Sequence, residues 1–115
     1  MTTLSDIVKA LQLDVAAAGD HLDRPVTGGY ASDLLSFVMG RAKKGNLWVT
    51  LQSHINIVAV ASVASLAGIV VSEGSKPDSV TLAKANEERV PILLTPKTTF
   101  TVVSELAALG VKGSE

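Results

Sequence analysis

The chain has no cysteine. A disulfide framework, a thiolate nucleophile and a cysteine-ligated metal are therefore excluded, and the absence fits a cytoplasmic protein. Aromatic residues make up 3% of the 115 residues, and the rings are Trp48, Tyr30, Phe37 and Phe100. A surface that stacks bases on rings is not expected. Charge of one sign is lacking too. Ten Lys and Arg against eleven Asp and Glu leave a formal net charge of -1, so neither nucleic acid nor a membrane is an expected partner. Two histidines, His21 and His54, stand at no metal-binding spacing, and neither a metal nor a cofactor is expected. A signal peptide is also missing, because Asp6 comes early and no basic tip precedes a long apolar run.

What is present is aliphatic. Hydrophobic residues reach 47%, and with so few rings the core must be built from Val, Leu, Ile and Ala. The length suits one domain spanning 1–115, with about 112–115 as a flexible tail. No formal charge occurs between Lys44 and Glu73. That stretch is long enough for a membrane span. However, Asn46, Gln52, Ser53, His54 and Asn56 interrupt it, and a buried strand, a turn and a buried helix explain it better.

Helical spacing of Leu4, Ile7, Val8 and Leu11 behind Thr3 predicts a first helix. Residues 13–18 are a weak strand, and 21–29 read as a loop or a short extended stretch, with Pro25 turning Arg24 away from helix. A second helix is expected from a Ser32 cap through Leu34, Leu35, Val38, Met39 and Ala42, ending on Arg41, Lys43 and Lys44 before Gly45. Then follow a strand at 47–52, a helix at 55–66 (a strand is the alternative there, because Val and Ile are frequent), a strand at 68–72, a helix from Asp78 or Ser79 to Arg89, a strand at 90–95 and a last helix from Thr98 or Thr99. Short apolar strands alternating with helices predict a three-layer α/β domain, with a mostly parallel central sheet flanked by helices. The helix at 55–66 is apolar nearly all round. Such a helix is buried on more than one side, and a second copy of the chain, contacting Ile57, Val60, Ala61 and Ala64, is the expected cover.

The candidate ligand residues are Gly28, Gly29, Tyr30, Ser32, Gln52, His54 and Thr95. Gln52, His54 and Thr95 lie at C-terminal ends of expected strands, where open α/β sheets bind ligands. His54 is a hydrogen-bonding or general-base group on this reading, or else a helix cap. Gly28 and Gly29 before a helix can cradle an anion on free N–H groups; the alternative is a tight turn with positive φ, since neither the dinucleotide fingerprint nor the P-loop is present. No serine lies in a nucleophile elbow, and no catalytic constellation is visible.

The segment Asp23-Arg24-Pro25-Val26-Thr27-Gly28-Gly29-Tyr30-Ala31-Ser32-Asp33-Leu34-Leu35 resembles the DRTGG domain family, named for such a signature. Here Pro25 and Val26 interrupt the signature between Arg24 and Thr27. The likeness continues through residues 47–54, 56–62, 90–95 and Thr99-Phe100. It implies a fold similar to the N-terminal domain of HPr kinase/phosphorylase and a module without catalytic activity. It also implies a homodimer. The chain resembles the free-standing members; the family's link with adenine nucleotides comes mainly through neighbouring CBS domains. The expectation is a non-catalytic regulatory or signalling module, homodimeric, sensing a small ligand such as an adenine nucleotide or another anion. The alternatives are a subunit that docks a protein partner without a small ligand, and a small enzyme.

Overall fold

A computed structural model describes residues 2–115. The order of elements is α1 (Leu4–Leu11), β1 (Asp14–Ala17), β2 (Gly28–Ala31), α2 (Leu35–Arg41), β3 (Asn46–Thr50), α3 (Asn56–Val63), β4 (Gly68–Val71), α4 (Ser79–Glu88), β5 (Ile92–Leu94) and α5 (Thr99–Ala108). The strands form one sheet in the order β1-β5-β4-β3-β2. Strands β2 to β5 are mutually parallel, and only β1 runs antiparallel, on β5. The expected α/β fold is present.

Alternation along the strands builds two cores. Trp48, Ile69, Val71 and Ile92 face one layer with α2, α3 and α4. Leu47, Val49, Val70 and Leu93 face the other with α1 and α5. A strand buried on both faces has no polar side, so every residue of β3 is buried, and its sequence reads as a continuous apolar run rather than an alternation. The one tryptophan lies wholly inside, and its indole N–H donates to the carbonyl of Ser32 at 2.9 Å, which satisfies the polar tip that burial would otherwise orphan.

Helix α3 sits between α2 and α4 on the sheet. The sheet covers it from below and the two helices from the sides, while Ala59, Ser62 and Val63 on its outer face stay exposed. Of the four residues expected to meet a second copy, Ile57, Val60 and Ala61 are spent on packing within the chain, and Ala64 packs partly buried against the same core.

Of the two readings of residues 21–29, the end of the segment takes the extended one. Gly28 and Gly29 are strand residues of β2 paired with Asn46 and Leu47 of β3, and neither has positive φ. Two glycines have low strand propensity, so the local signal pointed away from a strand, and tertiary pairing decided otherwise. Helix α2 correspondingly starts at Leu35. Ser32 does not cap it; the Ser32 hydroxyl accepts from the Leu34 N–H at 3.1 Å in a turn before the helix.

The chain beyond Gly110, including residues 112–114 of the expected flexible tail, lies along the outer edge of β2. The Gly29 N–H donates to the Lys112 carbonyl at 2.8 Å, and the Asn46 side-chain amide donates to the Ser114 hydroxyl at 3.0 Å. A Cβ on Gly28 would collide with the Ser114 hydroxyl and come within 2.7 Å of the Lys112 carbonyl, and one on Gly29 would touch Val111 at 3.3 Å. The glycine pair is the seat of the tail. Gly28→Ala is therefore expected to cost about 1 kcal/mol of stability, the low end of overpacking because the tail can shift. Urea denaturation measures it. The cost should vanish in a chain shortened to end at Gly110, since the two changes act on one contact.

Candidate functional site

Because β2 to β5 are parallel, the sheet has two unlike edges. The C-terminal edge carries the N-terminal ends of the helices that follow each strand, with their unpaired N–H groups. At this edge the polar side chains are bonded to one another and to the backbone. Asp33 accepts from the Thr50 hydroxyl at 2.8 Å and the Leu51 N–H at 2.9 Å. Gln52 donates to the Asp33 carbonyl at 3.2 Å. His54 Nδ1 accepts from the Asn56 N–H at 3.2 Å, so the imidazole acts as a cap at the start of α3. Thr95 accepts from the Lys97 N–H at 3.2 Å. Asp78 caps α4 by accepting from the Thr81 N–H at 2.8 Å.

Strand β4 leads to a helix on one face and β5 to a helix on the other, which makes the gap beyond these two strands the topological switch point, the usual ligand crevice. Here the loops close it. The Glu73 N–H donates to the Lys97 carbonyl at 2.7 Å, and the Gly74 N–H donates to the Thr95 carbonyl at 3.1 Å. The Glu73 carboxylate accepts from the Thr99 N–H at 2.8 Å, standing at the start of α5 where an external anion would bind. A space of about 370 Å³ remains outside these loops, and of the expected ligand residues it includes only Thr95.

The sequence-based candidates thus divide. Ser32, Gln52, His54 and Thr95 lie at the C-terminal edge in the loops after β2, β3 and β5; Gln52 reaches the Asp33 carbonyl, while the other three bond within their own turns. Tyr30 is half-buried in β2 and packs on the α2 side of the sheet. Gly28 lies at the opposite, N-terminal end of β2. The seven residues do not converge on one cavity.

The N-terminal edge is different. It receives the C-terminal ends of α2, α3 and α4. A cleft of about 470 Å³ opens there, lined at its rim by Arg24, Lys44, Arg89 and Glu88 and floored by Ala61, Leu66 and Val90. Arg24 braces it: one guanidinium nitrogen donates to the Arg89 carbonyl at 2.6 Å and another to the Ala67 carbonyl at 3.4 Å. Thr27 ties the other side, its hydroxyl donating to the Lys44 carbonyl at 2.8 Å and its N–H to the Gly45 carbonyl at 3.0 Å. Ser65, just after α3, and Arg89, at the end of α4, both adopt left-handed backbone with φ of 55° and 58°, a conformation that costs a non-glycine residue about 1 kcal/mol. Lys44, Arg89, Ser62 and Ser65 were not singled out from the sequence. The signal was available: in a run of parallel β-α units, residues after each helix all map to one edge.

Among the described residues, no cluster of three or more His, Cys, Asp and Glu side chains stands close enough to hold a metal ion, and no helix is long and apolar enough to cross a membrane.

The family model for the DRTGG domain matches residues 6–109. The chain belongs to the DRTGG domain family. Comparison with curated proteins gives no match. Among solved structures, the chain is similar to the CBS and DRTGG domains of the regulatory region of Clostridium perfringens pyrophosphatase, complexed with the activator diadenosine tetraphosphate. The TM-score is 0.74 at 15% identity, over 91% of this chain and 46% of the other; the chain spans about half the length of that neighbour. The DRTGG signature itself now has a physical reading. Arg24 braces the edge, Thr27 ties it to the turn after α2, and Gly28 and Gly29 admit the tail.

Two N–H groups and a hydroxyl near Asp78 yield a pH prediction. Hydrogen bonds from Thr81, chiefly from its backbone N–H, hold the Asp78 carboxyl below its ordinary value of 3.8. A depressed folded-state pKa adds stability above the unfolded value and loses it as pH falls through the folded one. Asp78→Asn, which keeps a capping oxygen, should flatten the loss of thermal stability below about pH 4 while leaving the fold intact. Melting curves from pH 2 to 7 compare the two chains.

Proposed function

We propose that this chain is a non-catalytic regulatory module that senses a small ligand of the adenine-nucleotide class. The observation that carries this reading is the DRTGG fold shared with a regulatory region complexed with a dinucleotide activator. The polar groups of the C-terminal edge also favour it over an enzyme, because they are spent on caps and turns and none is paired as base and nucleophile. The test is a thermal-shift screen with AMP, ATP and diadenosine tetraphosphate, with and without magnesium. A ligand that binds only the folded chain stabilises it by RT ln(1 + [L]/Kd), about 2.7 kcal/mol at a hundredfold excess over Kd. A rise of several degrees is expected. A flat response to all three nucleotides, repeated by calorimetry, overturns the reading.

A second reading, self-association, is favoured by a different surface from the one expected. Leu34 and Phe37 are 54% and 44% exposed at the start of α2, with Leu51, 43% exposed, beside them; the Leu51 N–H bonds to Asp33. The Arg41 guanidinium lies over the Phe37 ring, 4.3 Å from its centre. Exposed aliphatic and aromatic side chains gathered at one corner mark an interaction surface. We propose a second copy as the occupant. Sedimentation at high micromolar concentration should show a dimer that Phe37→Asp converts to monomer. A wild-type chain that sediments as monomer throughout removes the dimer and leaves a different protein as the partner to seek.

A further inference from the structure

The two edges of the sheet differ in what their polar groups are doing. At the C-terminal edge the side chains of Asp33, His54, Glu73, Asp78 and Thr95 are all engaged with the protein's own N–H groups. At the N-terminal edge, the side chains of Lys44, Ser62, Ser65 and Arg89 line the cleft of about 470 Å³, and none of them makes a hydrogen bond or ion pair among the described residues. The Arg24 guanidinium spends two of its donors on the carbonyls of Ala67 and Arg89. These bonds fix its plane, and a guanidinium carries five donors in all. Four unspent polar side chains are thus brought to one concave surface.

Its charge decides what that surface accepts. The C-terminal ends of α3 and α4 open toward the cleft, each with about half a negative charge. Glu88 adds another. Arg24, Lys44 and Arg89 outweigh these, together with the end of α2 beside Lys44, by roughly half a positive charge. An anion is therefore favoured, and a cation is not. The floor of Ala61, Leu66 and Val90 is apolar and suits a flat ring, while the rim suits a phosphoryl group held by arginine and lysine. The volume lies within the range of small-ligand pockets, about 300 to 1,000 Å³. The backbone supports the same assignment. Two helices that end beside this cleft close on left-handed Ser65 and Arg89, where glycine is the unstrained residue, and each thereby presents a polar side chain to the cleft.

We infer that the N-terminal-edge cleft is the ligand site of this domain and that its ligand is a phosphorylated molecule with a planar ring, a nucleotide, its phosphate held by Lys44 and Arg89 and its ring lying on Leu66 and Val90. This rests on the sensing function proposed above but places the site at the opposite end of the sheet from the one where such folds bind ligands.

The test titrates AMP, ATP and diadenosine tetraphosphate into wild type and four variants by calorimetry and thermal shift, with inorganic phosphate as a probe of the anion alone. Lys44→Glu and Arg89→Gly should weaken nucleotide binding about tenfold or more, the loss of one charge-assisted contact. Arg89→Gly should keep or raise the melting temperature without ligand, because glycine relieves the left-handed backbone; binding lost from a chain that is no less stable separates the site from the fold. Ser32→Ala and His54→Ala, at the far edge, should bind as wild type does. Weakening by Ser32→Ala or His54→Ala, with Lys44→Glu and Arg89→Gly unaffected, overturns the cleft and leaves the sensing function standing. No binding of any probe to wild type overturns both. Binding of nucleotides but not of phosphate alone, sensitive to Lys44→Glu, supports a site that needs the ring as well as the anion.

Discussion

Strand direction is the constraint from which the rest of this domain follows. Four strands run the same way, so each connecting helix must run back the other way before the next strand can start. Three consecutive helices therefore point their N-terminal ends at one edge of the sheet and their C-terminal ends at the other. Each end brings unpaired backbone groups and a partial charge. Acidic caps gather at the first edge, Asp78 on α4 and Glu73 on α5. Basic side chains gather at the second, where Arg24 ties down carbonyls beyond α3 and α4. The net charge of -1 conceals this sorting, because the two signs cancel only in the sum.

The same constraint explains why one helix is apolar nearly all round. Strands in sequential order place α2, α3 and α4 side by side on one face, and the middle helix is flanked on both sides. A sequence read one helix at a time assigns such a surface to a partner chain. Packed in its layer, much of it is covered from within the chain, and Ala59 and Val63 stay outside. Of the large apolar side chains that the chain exposes, Leu34, Phe37 and Leu51 stand at the corner of the layer beside the edge strand, where no further helix covers them.

The family signature takes its meaning from the other edge. Two adjacent glycines before a helix suggest an anion cradle, and in this fold they do something else. They let the returning tail approach β2 closely enough for the Gly29 N–H to bond it. This also blunts an edge strand that would otherwise present free N–H and C=O groups. Arg24 and Thr27 act as braces across the loops that the tail and the helix ends share. The signature is in the first place architecture, and a cleft is the space its braces hold open.

Sequence by itself determined the element types from Leu47 onward, the α/β class and the composition of the core. Those features are written in local periodicity and in runs of buried aliphatic residues, and each depends on neighbours only a few positions away. The caps at Thr3, Asp78 and Thr98 were legible for the same reason. Tertiary structure alone decided that Gly28 and Gly29 form a strand, that much of α3 is covered from within the chain, that the tail is held, and that the switch-point crevice is filled by Glu73. It also decided which polar side chains remain unspent. Each of these outcomes depends on a contact between segments distant in sequence, such as Gly29 with Lys112 or Arg24 with Arg89. A local pattern contains no information about which backbone group a distant side chain will satisfy.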